Sequence, residues 1–66
     1  MTNHKLYVAR RENKVTQRVV AKKLGMHYNT YCKKESGKLD FSLKEAKLLA
    51  KLFDTTLDEL FGEETA

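Results

Sequence analysis

The sequence contains no proline, a single cysteine and only three glycines in 66 residues. With no proline, no helix in the chain is broken by one. Cys32 has no second cysteine to pair with, so an internal disulfide is excluded, and a structural zinc site is not expected. No apolar run is long enough for a signal peptide or a membrane span, so the expectation is a cytoplasmic protein without membrane contact. Sustained alternation of apolar and polar residues is missing, and with it any sign of a strand. Catalytic patterns are missing too. There is no nucleophile beside a base and no glycine-rich phosphate loop. His4 and His27 are isolated, and Cys32 with His27 lacks the third group that would make a dyad work. The expectation is therefore no enzyme, no cofactor, no metal and no small-molecule ligand.

What is abundant is charge, and it is unevenly placed. Residues 1–38 carry ten lysines and arginines against Glu12 and Glu35, a balance of +8. Residues 39–66 carry three lysines against seven acidic residues, a balance of −4. A basic first half suits a polyanion on one side of the molecule. Solvated helix faces are the plain alternative.

The apolar pattern divides the chain into five helices with short connections, one domain over residues 1–66 with an ordered core of about 5–62. The first runs from Lys5 to Glu12 with Leu6, Ala9 and Val8 inward, and Asn13 stops it. Thr16 is a good N-cap for the second, and Val15 and Val20 form a hydrophobic staple across it. Val20, Ala21 and Leu24 make its inward stripe. Gly25 turns the chain, Met26 plugs the core, and a third helix covers Tyr28 to Ser36. Ser42-Leu43-Lys44-Glu45 reads as a capping box opening a fourth helix with Leu43, Ala46, Leu49, Ala50 and Phe53 along one face. Thr56-Leu57-Asp58-Glu59 reads as a second box, opening a short fifth helix with Leu57, Leu60 and Phe61 inward. Gly25, Gly37 and Gly62 each follow a helical pattern, where a left-handed cap is expected. Residues 63–66 read as frayed.

The segment Val20-Ala21-Lys22-Lys23-Leu24-Gly25-Met26 has a specific consequence. Small Ala21 makes room for the next helix, and Gly25 takes a conformation that strains other residues. Two helices then cross steeply and the second protrudes, a shape that fits a DNA major groove. The sequence resembles the Xre family of helix-turn-helix regulators, which includes phage Cro and phage repressors. The resemblance is carried in one register by Thr16-Gln17, Ala21-Lys22-Lys23-Leu24-Gly25, Glu35-Ser36-Gly37-Lys38, Ser42-Leu43, Ala50-Lys51 and Leu57-Asp58-Glu59-Leu60-Phe61. It implies an all-α, five-helix, lambda-repressor-like domain whose helices 2 and 3 form the helix-turn-helix.

The resemblance also implies roles. Gln17, with Thr16 and the backbone amides at the same helix N-terminus, would grip a DNA phosphate. Arg10 and Glu35 would bridge helix 1 to the end of helix 3. Ser36, Gly37 and Lys38 would lie against the backbone of the other strand. His27, Tyr28, Asn29 and Lys33 would face the bases. The residues themselves agree. Tyr28, Asn29, Cys32 and Lys33 share one side of the third helix, opposite an inward Tyr31. Asn29 suits an adenine edge, Lys33 suits guanine acceptors, and His27 or Tyr28 can donate to a base or phosphate. Arg18, Lys22 and Lys38 would attract phosphates whatever the sequence. The plainer readings are that His27 is a poor helix cap, that Asn29 is merely a polar surface residue, and that Cys32 is a small side chain in a crowded place.

Four positions depart from the family pattern. Lys34 stands where an apolar residue is usual, so helix 3 should be looser there or send the amine outward. Val19 and Leu48 are apolar where charge is usual, and Phe41 replaces a frequent proline. The expected function is a sequence-specific transcriptional regulator, most simply a repressor, bound to double-stranded DNA as a homodimer. The size of the chain and its type resemble stand-alone regulators of phages and mobile elements. The alternative is an antitoxin-like or anti-regulator module that uses the same fold to hold a partner protein. The acidic second half and Val19 and Leu48 motivate it.

Overall fold

Five helices form, each explained by its local sequence. The structure, a computed structural model, describes residues 3–62. The helices are α1 (His4–Glu12), α2 (Gln17–Leu24), α3 (Tyr28–Glu35), α4 (Leu43–Leu52) and α5 (Leu57–Phe61). No strand is present among the described residues. The expectation of fraying at residues 63–66 falls outside them.

The caps largely follow the sequence. Thr16 is extended and its hydroxyl accepts from the Val19 amide at 3.2 Å. Ser42 and Glu45 complete a reciprocal box: the Glu45 amide donates to Ser42 Oγ at 3.1 Å and the Ser42 amide to Glu45 Oε1 at 2.9 Å. The second box is only half formed. Thr56 Oγ1 accepts from the Glu59 amide, and the return bond from Thr56 to the Glu59 side chain is not made.

The glycines divide. Gly25 closes α2 in the left-handed region at φ 71°, as its position requires. Gly62 does not, since its backbone is extended. What makes glycine fit there is space: a β-carbon would collide with the carbonyl oxygen of Asp58. Asn13 stops α1 by a route other than a left-handed backbone. Its side-chain amide donates to the Ala9 carbonyl at 2.7 Å, and Lys14 takes the positive φ, 56°.

The core is built from Leu6, Val20, Ala21, Tyr31, Leu49, Ala50, Phe53 and Leu60, with Val15, Leu24, Met26, Phe41 and Phe61 packed around it. Ala21 is almost fully buried, and α2 and α3 make the most extensive contact of any helix pair. A small side chain at that crossing lets the backbones approach. Two inward expectations fail. Val8 is 36% exposed and Leu43 is 64% exposed. Leu43 begins α4, more than a turn before the part of the helix that carries Leu49 and Phe53, so nothing covers it. Phe41 fills the proline position by ring packing, 6.0 Å from Tyr31 and 5.6 Å from Phe61 between centroids.

Candidate nucleic-acid interface

The outward face of α3 is presented by buried contacts behind it. Tyr31 is fully buried and points inward, so positions one turn either side of its opposite face are turned out. His27, Asn29 and Lys33 are exposed, while Tyr28 and Cys32 are half-buried. His27 caps α3 with its backbone only. Its side chain makes no cap hydrogen bond, which leaves the imidazole available.

Both ends of α3 are anchored. At its C-terminal end Arg10 and Glu35 form the bridge from α1. Arg10 Nε lies 3.1 Å from Glu35 Oε2, Nη2 donates to Oε1 at 3.1 Å, and Nη1 donates to the Val15 carbonyl at 3.0 Å. Burial works against the guanidinium charge, and the carboxylate more than offsets it. The Tyr31 hydroxyl lies beside this pair without a well-formed hydrogen bond. Burial, and then the approach to Glu35, push its pKa well up.

A second anchor was not legible in the sequence. The backbone amide of Asn3 donates to the Glu35 carbonyl at 2.9 Å and its side-chain amide to the Lys34 carbonyl at 2.8 Å. Asn3 thus satisfies carbonyls that the end of α3 leaves open. Lys34 neither loosens the helix nor reaches freely into water. Its ammonium meets Glu45 Oε1 at 2.6 Å, so α3 is tied to the first turn of α4. The Lys34 bond first, and the Ser42 amide second, hold the Glu45 carboxyl below its ordinary value.

An open groove at the N-terminus of α2 is lined by Arg10, Arg11, Lys14, Thr16, Gln17, Arg18 and Tyr28, among others. Thr16, Gln17 and Arg18 were expected here. Arg11 and Lys14 were not singled out, and only the basic count of the first half hinted at them. The amides of the first helical turn and the surrounding cations suit an anion. The Arg18 guanidinium lies over the Tyr28 ring, 4.2 Å from its centroid, joining the groove to α3. The Cys32 thiol donates to Gln17 Oε1 at 3.4 Å, a second link between the same helices.

Ser36, Gly37 and Lys38 follow the far end of α3, about 12 Å along the helix from its start. Ser36 Oγ donates to the Lys33 carbonyl at 2.9 Å, and the Lys38 and Leu39 amides converge on that same carbonyl. Gly37 takes φ 90°, and Lys38 stands exposed. The groove meets α3 at Tyr28 and, through Gln17, at Cys32, while this loop follows the helix's last residue.

The chemistry is that of anion contacts around a polar helix face. Among the described residues no helix is long and apolar enough to cross a membrane. The same residues hold no group of three or more histidine, cysteine, aspartate or glutamate side chains placed to bind a metal ion. The family model described as Helix-turn-helix, of the Xre and Cro type, matches residues 6–60. The chain belongs to that family: it is a DNA-binding helix-turn-helix regulator with the lambda-repressor-like arrangement of five helices. No curated protein matches the sequence significantly.

Proposed function

We propose that the protein is a sequence-specific transcriptional regulator that occupies an operator as a homodimer, with α3 in the major groove, and acts most simply as a repressor. The observation that carries this reading is the arrangement along α3. Exposed His27, Asn29 and Lys33 share α3 with two flanking features: a basic groove holding Thr16, Gln17 and Arg18, which touches the helix at Tyr28 and Cys32, and a loop holding Ser36, Gly37 and Lys38, which follows its last residue. Phosphate contacts at both ends fix register, and the side chains between them read bases. Tyr28 sits at the junction under Arg18, so it shapes the groove as well as facing the DNA.

A dimer supplies the contacts that one small module lacks. The surface that suits it is the shallow groove of Leu39, Phe41, Leu43, Leu57 and Phe61, in which Asp40 is the one charged residue among the described residues. A surface with so little charge, its apolar side chains flanked by Asn3 and Ser42, can meet its own copy without setting many like charges against each other.

The second reading, a module that holds another protein, is favoured by exposed Val19 and Leu48, at 42% and 41%. Selection of bound sites from a random DNA library separates the two. The first reading expects an inverted repeat with half-sites about one helical turn apart. No enriched motif, with binding that fades uniformly as salt rises, would overturn it and leave the protein-binding reading.

A further inference from the structure

We propose that Cys32 is a positioning residue, whose thiol orients the side chain of Gln17 so that its NH2 end faces the DNA backbone. The inference rests on the reading of Gln17 as a phosphate contact.

A glutamine carboxamide has two unlike ends. The carbonyl oxygen only accepts hydrogen bonds and the NH2 group only donates. Phosphate oxygens only accept. Of the two ways the amide can be turned, one grips a phosphate and the other presents oxygen to oxygen. A donor fixed behind the oxygen decides between them.

Cys32 is that donor. Its Sγ lies 3.4 Å from Gln17 Oε1, within reach of a sulfur hydrogen bond, and joins mid-α3 to the first residue of α2. With the oxygen held against α3, Nε2 is turned away from that contact, and Gln17 lines the basic groove with Thr16 and Arg18. Cys32 and Gln17 are both half-buried, so the contact is partly shielded from water. Tyr28 stands one turn earlier on the same face. Contact with the Cys32 thiol is the main reason that its phenol holds its proton more tightly than usual.

Few side chains serve at position 32. Alanine and valine have no donor. A carboxylate would accept and turn the amide the wrong way. Serine keeps a donor at a slightly shorter reach. Because the contact acts on a phosphate, it should strengthen binding to every sequence equally.

The test measures DNA affinity by fluorescence anisotropy on the site chosen by library selection, and on an unrelated duplex. The proteins are the full chain and its Cys32→Ala, Cys32→Val, Cys32→Ser, Gln17→Ala and Cys32→Ala/Gln17→Ala variants, with thermal midpoints to confirm folding. Cys32→Ala and Cys32→Val should each weaken binding about three- to tenfold on both duplexes, the worth of one neutral hydrogen bond. Cys32→Ser should stay within about twofold of the wild type, and in the Gln17→Ala background the loss of Cys32 should change affinity by less than about twofold. Effects that simply multiply in the double variant would overturn the proposal, because Cys32 would then act by packing. Wild-type affinity in Cys32→Val would overturn it too, since the donor would be irrelevant. Unchanged affinity in Gln17→Ala alone would overturn the reading of Gln17 on which the proposal stands.

Discussion

The guanidinium of Arg10 and the carboxylate of Glu35 meet in a buried fork, Nε to Oε2 at 3.1 Å, with side chains 10% and 4% exposed. The pair joins the first helix to the end of the third. Removing one partner leaves the other charged and unpaired inside. Arg10→Met should therefore cost about 3–5 kcal/mol. A domain of this length holds roughly 3–10 kcal/mol in all, so most of the fold's stability is at stake. Urea unfolding measures it, and a variant as stable as the wild type would refute the expectation. Arg10→Met combined with Glu35→Leu should recover much of the loss, because no charge is then stranded.

Acid sensitivity follows from Glu45. Its carboxyl titrates below the ordinary 4.5 in the fold, because of Lys34 first and the Ser42 amide second. A lowered folded pKa adds stability that is present above the unfolded value and lost as pH falls through the folded one. The wild type should thus lose stability as pH drops from about 5 towards 3, and Glu45→Gln should lose less over the same range. Thermal midpoints across that range decide it. Parallel curves for the two proteins would show that the pair carries no such linkage.

Asp54 sits at φ 52°, a left-handed backbone on a residue with a β-carbon. A left-handed position costs an ordinary residue about 1–2 kcal/mol, partly offset in glycine by its freer unfolded chain. Asp54→Gly should raise stability by up to about 1 kcal/mol. A fall in the unfolding midpoint would mean that the aspartate contributes a contact outweighing the strain.

Base and phosphate roles separate in their effects on DNA. Asn29→Ala should weaken the preferred site by about 1–3 kcal/mol and relax preference at one position only. Lys38→Ala should weaken all duplexes alike and lower the salt slope by about one per copy. Titrations at several salt concentrations, on preferred and scrambled duplexes, separate the two patterns. Exchanged patterns would reverse the assignments.

The helices and most of the core were legible because their causes are local. Thr16, Ser42 and Gly25 announce helix ends through rules that span a few residues, and Val20, Ala21, Leu49, Ala50 and Leu60 follow helical spacing. The register of α3 was legible for the same reason, since a buried Tyr31 sets which side faces out. Leu43 misled because periodicity assigns a face without saying how far along the helix its cover extends. Asn3 on α3, Lys34 on Glu45 and Cys32 on Gln17 were not legible. Each joins residues between 11 and 31 positions apart, and no local rule brings such pairs together. In the candidate interface the sequence pointed to Arg18 and Gln17 singly, whereas Arg11 and Lys14 join them only because α1 ends beside the start of α2.

The clasp of Asn3 on the last carbonyls of α3 also bears on the timing of recognition. On the reading proposed above, a helix so fixed leaves little ordering for the encounter with DNA. If the protein selects operators, sites of different quality should then differ chiefly in how long the protein stays, and hardly in how fast it arrives. Asn3 would in this way help to set the residence time.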